Sequence, residues 1–146
     1  MLTETLKSLF NRDLNKLKLE IESYQNESQI WVIDKNISNS AGNLCLHLIG
    51  NISTYIGAEL GKTGYIRDRP LEFSLKNIPR SELISKIEHT IIVVNNTLDS
   101  LTEEDLQAVY PQIVFEKEMT TEFFLVHLAT HLGYHLGQIN YHRRLV

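Results

Sequence analysis

The sequence predicts an all-α domain in the form of a four-helix bundle, and three observations lead there. Apolar residues recur at spacings of three and four through long segments, capping residues stand where those segments begin, and charges in the last segment follow the helix dipole. No internal repeat, low-complexity tract or Pro/Gly/Ser-rich linker divides the 146 residues. The whole chain, 1–146, is therefore read as one domain with room for a hydrophobic core.

The first helix is predicted from Leu2 to about Tyr24, where Leu2, Leu6, Leu9, Phe10, Leu14, Leu17, Ile21 and Tyr24 form one stripe. Ile30 to Ile33 reads as a short extended stretch, closed by polar residues from Asp34 to Asn39. Ser40 is the expected N-cap of a second helix running to about Leu60, with Gly61 at its stop. This helix is apolar nearly all round, which predicts a central, buried position. A long loop from Gly61 to Arg80 then leads to a third helix opening at Ser81. Its predicted core stripe is Ile84, Ile87, Ile91, Val94, Leu98 and Leu101. Between Thr102 and Met119 the signals conflict: Thr102 with Asp105 looks like a helix start, whereas Val109 to Pro111 and Ile113 to Phe115 look extended. Thr120 or Thr121 caps a fourth helix reaching the end of the chain, with Glu122 in its first turn and Arg143 and Arg144 in its last. An up-down-down-up order, or a similar one with the long loop as crossover, is expected.

Composition narrows the function classes. Apolar residues make up 42% and charged residues 22%, an ordinary globular balance. A net charge of −4 argues against a nucleic-acid binder, whose footprint is usually basic. No apolar run is long enough to cross a membrane, and the start of the chain lacks the basic and apolar blocks of a signal peptide. Cys45, the single cysteine, excludes an intramolecular disulfide and suits a reducing cytoplasm, the expected location.

The chemistry concentrates in two helices. Four of the six histidines, His127, His131, His135 and His142, sit in the last one. Residues four apart on a helix lie about 40° from each other, so His131 and His135 share a face and can reach one ion. Neutral imidazole is a common ligand for a borderline divalent metal. His47, on the otherwise apolar second helix, supplies the third member, with Asn43 and Asn51 one turn to either side. Polar groups in such a helix cost free energy unless they find partners. The competing interpretation is three polar side chains hydrogen-bonded in a wet core. Cys45 points about 200° away from His47 and is not expected to be a ligand. The Glu of an H-E-x-x-H protease is absent between His131 and His135, no Glu-x-x-His marks a di-iron bundle, and neither Ser40 nor Ser53 is marked as an activated serine.

The stretch His131-Leu-Gly-Tyr-His135-Leu-Gly137-Gln138-Ile139, with His47 on an earlier helix, resembles the DinB-like family of small four-helix-bundle metalloproteins. The resemblance implies His47, His131 and His135 as metal ligands, and places Gln138 near the metal or the substrate. His127 extends the series as in some relatives, but an outer-face or packing role is preferred for it and for His142. Better-studied relatives are thiol-dependent S-transferases or isomerases that use low-molecular-weight thiols such as bacillithiol or mycothiol.

Three imidazoles leave an open coordination position, with Zn²⁺ or Ni²⁺ as the expected ion. The expected function is a metal-dependent thiol S-transferase acting on a small electrophile. The alternatives are a non-catalytic metal-binding or interaction module, and a metal-dependent hydrolase, which lacks an obvious carboxylate base. Arg67 and Arg69 are candidates to clamp an anionic cosubstrate, against ion pairs with Asp68 or Glu72 that order the loop. Asn43 and Asn51 are candidates to orient His47, against plain helix–helix hydrogen bonds. His89 lies off the third helix's stripe and is expected to be solvated. The apolar surplus of the second and third helices leads to the expectation of a homodimer, with the loop carrying Arg67 and Arg69 at the entrance to the site.

Overall fold

The computed structural model describes residues 1–146 and is all-helical, with one isolated bridge between Val109 and Thr120 and no strand. The helices are α1 (Leu2–Glu22), α2 (Ala41–Ile52), α3 (Arg69–Ser74), α4 (Arg80–Ser100), α5 (Glu103–Gln107) and α6 (Thr121–Leu145). Helix α1 packs on α4 and α6, and α2 packs on α3, α4 and α6, around a core of 27 buried apolar residues. No helix is long and apolar enough to cross a membrane.

Helix α1 buries Leu6, Phe10, Leu14, Leu17 and Ile21, the interior of its predicted stripe. The segment after it departs from expectation. Glu27–Trp31 is a 3₁₀ turn, because the Asn26 side chain caps the Ser28 amide at 3.0 Å and Gln29 returns a bond to the Asn26 amide at 3.2 Å. Ile30 and Trp31 are buried by this turn, and extended backbone resumes only at Val32.

Ser40 caps α2 as predicted, accepting from the Asn43 amide at 3.1 Å, and every residue of α2 is buried. Gly42 is required there, since a Cβ would stand 2.6 Å from the Trp31 ring. Beyond Ile52 the chain keeps winding to Ala58, but as a π-helical turn rather than as the predicted α-helix. Ile49, Ile52, Thr54 and Ile56 crowd β-branched side chains there and weaken the α preference.

The long loop is interrupted by α3, which was not expected. Asp68 caps it by accepting from the Leu71 amide at 3.3 Å, and Pro70 occupies its first turn. Helix α4 buries Leu83, Ile87, Thr90, Val94, Thr97 and Leu98, so the buried face is rotated slightly from the predicted one. Ile84, Ile91 and Leu101 are only half-buried, flanking a face that meets both α1 and α2. Thr90 tolerates burial because its hydroxyl donates to the Lys86 carbonyl at 2.8 Å.

Thr102 and Asp105 form a capping box for α5, which buries Leu106. Paired backbone bonds, Tyr110 to Met119 and Thr121 to Ala108 at 2.8 Å each, then fold residues 109–120 back to the Thr120 cap of α6. The apolar surface of α2 is covered within the chain by its neighbouring helices and by the Trp31 turn.

Candidate metal centre

His47 lies in the middle of α2, and His131 and His135 lie one turn apart on α6, against which α2 packs. The three side chains converge: one ligating nitrogen from each falls within 4.8 Å of the others. The Nε2 atoms of His47 and His131 are 3.3 Å apart. Nitrogens about 2.0–2.1 Å from a tetrahedral ion stand about 3.3–3.4 Å from each other, so this edge already has the length of a filled site. The His131 and His135 rings are nearly perpendicular, at 85° with centroids 4.6 Å apart.

Two of the three tautomers are fixed from behind. His47 Nδ1 donates to Glu72 Oε1 at 3.0 Å, and His135 Nδ1 donates to Gln138 Oε1 at 2.7 Å. Both acceptors take a proton from Nδ1, which leaves the Nε2 lone pair facing the other histidines. Burial pushes the His131 pKa down to about 4, and the neighbouring His135 and His47 push in the same direction. Burial also lowers that of His135, against a raising contribution from Gln138. A divalent cation fits the His47–His131 edge and the convergence of the third ring, since a cation between facing lone pairs turns their repulsion into ligation.

Glu72 is the group that sequence reasoning missed as a partner of His47. Its buried carboxylate takes His47 on Oε1 and Arg67 on both oxygens, at 2.8 Å from Nε and 3.0 Å from Nη2. Burial raises its pKa, but the bonds from His47 and Arg67 outweigh burial and hold it below the ordinary value. Gly50 makes the space: a Cβ at that position would collide with the Glu72 carboxylate. Asn43 anchors the same element without touching His47. Its amide donates to the carbonyls of Glu72 at 2.9 Å and Leu75 at 2.8 Å, while Ser40 and Lys76 both donate to its oxygen at 2.7 Å. Asn51 is buried and its Oδ1 has no partner.

The remaining candidates are placed as follows. Arg67 spends its guanidinium on Glu72 and lies 5.8 Å from the Tyr55 ring centroid. Arg69 is exposed and sits over Phe73 at 5.3 Å. His127 packs edge-on against Phe115 and parallel to Phe124, 6.4 Å from the His131 ring, outside the convergent trio. His142 is buried and uses both nitrogens, Nδ1 with the Tyr24 hydroxyl at 2.6 Å and Nε2 with the Val32 carbonyl at 2.8 Å. His89 is exposed on α4. Cys45 is buried, which pushes its pKa up to about 12, and it is not part of the cluster.

Among curated proteins no match is found. Residues 3–146 match the family described as "Protein of unknown function (DUF1572)". With all but the first two residues inside that match, the chain belongs to the DUF1572 family.

Proposed function

We propose that this chain is a divalent-metal-dependent enzyme of the thiol S-transferase type, built on a DinB-like four-helix bundle formed by α1, α2, α4 and α6. The convergence of three imidazoles, two of them held by Nδ1 bonds to Glu72 and Gln138, carries this reading. Zn²⁺ or Ni²⁺ suits such a donor set, and three protein ligands leave a position open. When bound, the ion supplies positive charge that lowers the pKa of a thiol placed beside it.

The chain's own part is to hold that position open and to offer no competing nucleophile. Cys45 is buried and protonated, so the reacting sulfur comes from a small-molecule thiol. In the proposed reaction the thiol gives its proton to solvent and its sulfur bonds to an electrophilic carbon. The bond from that carbon to the leaving group breaks, and the electron pair departs with the leaving group. Hydrolysis is less well supported, because the nearest carboxylate, Glu72, is occupied by His47 and Arg67 and kept ionised by them. Homodimerisation belongs to the same proposal. Val109, Ile113, Phe123 and Val126 leave large apolar side chains in solvent around the start of α6.

The test is a panel of small electrophiles offered to the Zn²⁺- or Ni²⁺-loaded protein with several low-molecular-weight thiols. Thiol-dependent turnover supports the proposal. No turnover with any thiol overturns it in favour of a non-catalytic metal-binding module, and thiol-independent release of product overturns it in favour of a hydrolase.

A further inference from the structure

A cleft of about 570 Å³ opens beside the histidine cluster, between the 34–39 segment and the C-terminal half of α6. His135 and its partner Gln138 line it, so the cleft reaches one ligand of the candidate metal centre, while His47 and His131 do not line it. Most of the exposed wall surface is apolar, from Ile37, Leu44, Tyr134, Tyr141 and Leu145, with the polar Asn36, Ser38 and Asn39 beside them. The Tyr134 ring stands 5.1 Å from that of His135, at 75° to it. The charged side chains of the lining are those of the adjacent Asp34 and Lys35, one of each sign. His142 borders the cleft with both ring nitrogens already engaged, so it offers no free polar contact. Arg67 and Arg69 do not line it.

We infer that this cleft holds the non-reacting body of the substrate, and that this body is uncharged, chiefly apolar and of aromatic size. The inference rests on the proposed metal-dependent reaction for its orientation, with the reacting end at His135. The volume lies within the usual range of small-molecule sites, about 300–1,000 Å³. Apolar and aromatic walls, and the Asp34 carboxylate beside the one lysine of the lining, disfavour an anionic body, which would give up hydration next to a like charge. Specificity is therefore set by the 34–39 segment, with Ile37 as the residue that decides what fits.

Two measurements on the full chain test this separately from the metal reading. In the first, the uncharged fluorophore 1-N-phenylnaphthylamine is titrated into metal-free protein. Saturable binding of one probe per chain is expected, weakened about tenfold by Ile37→Arg and about threefold by Tyr141→Ala, both partly exposed positions that folding tolerates. No saturable binding, or binding unchanged in both variants, overturns the inference. In the second, benzyl mercaptan and 2-mercaptoethanol are titrated into Co²⁺-loaded protein and followed by thiolate-to-cobalt absorption. Benzyl mercaptan is expected to bind about tenfold more tightly, with the preference lost in Ile37→Arg. Equal affinities in the parent overturn the inference. Failure to hold Co²⁺ overturns the metal reading instead, and the fluorophore titration still decides the cleft.

Discussion

Glu72→Ala is the most revealing single change, because Glu72 serves the site and the fold through the same carboxylate. It accepts one bond from His47 and two from Arg67, at distances of 2.8 to 3.0 Å. Its removal leaves the largely buried Arg67 cation, 13% exposed, without a counter-charge and the His47 Nδ1–H without an acceptor. Breaking a buried pair in this way costs about 3–5 kcal/mol, mostly from the charge left behind. For a chain of this length that corresponds to a fall in Tm of roughly 10–20 °C. Removing the stranded cation as well, in Glu72→Ala/Arg67→Met, should restore about 1–3 kcal/mol of that loss. Neither variant should recover the parent's metal affinity, which is expected to fall about 10- to 100-fold without the carboxylate that orients His47. Thermal melts of the metal-free proteins and chelator competition for Zn²⁺ measure the two effects. Equal stability of the single and double variants, with unchanged metal affinity, would refute the role given to Glu72.

The other consequences are as direct. The folded-state pKa of His131 is depressed to about 4, so below about pH 6.5 the unfolded chain takes up a proton that the folded one refuses. Stability of the metal-free protein should therefore be full above pH 6.5 and fall as the pH drops toward 4; urea melts should show a shallower loss in His131→Phe, and an identical pH dependence would contradict the assignment. Gly50→Ala should weaken metal binding by about tenfold without touching a ligand, because its Cβ drives the Glu72 carboxylate off His47; unchanged chelator competition would show that the carboxylate can move freely. Light scattering at micromolar concentration should give twice the 16.8 kDa chain mass for the parent and the single-chain mass for Phe123→Glu. A parent that stays monomeric at every concentration contradicts the dimer.

Much of this was legible in the chain itself. The caps at Ser40, Thr102 and Thr120 and the stripe of α1 set those elements where the structure has them, since each signal is local. The His131–His135 pair follows from helical geometry alone, and His47 stands out as a polar side chain in an otherwise apolar helix. What stayed hidden depends on tertiary contact. Nothing about Glu72 in isolation marks it as buried; it becomes so because α3 lies on α2 and Gly50 leaves room for it. The start of α3 was nonetheless written in Asp68 and Pro70, a capping residue followed by a first-turn proline. Ile30 and Trp31 read as strand because they are large and adjacent, while Asn26 and Gln29, the residues that decide, lie outside the apolar run. The buried face of α4 was misjudged by the weight given to isoleucines, since Thr90 and Thr97 occupy interior positions.

Elemental analysis after reconstitution and desalting tests the central claim most directly, on the parent, His131→Ala and His127→Ala proteins. The structure predicts about one divalent ion per chain in the parent and in His127→Ala, and little in His131→Ala, because His131 belongs to the convergent trio and His127 does not. Equal metal in the parent and His131→Ala, or none in the parent, would contradict the account.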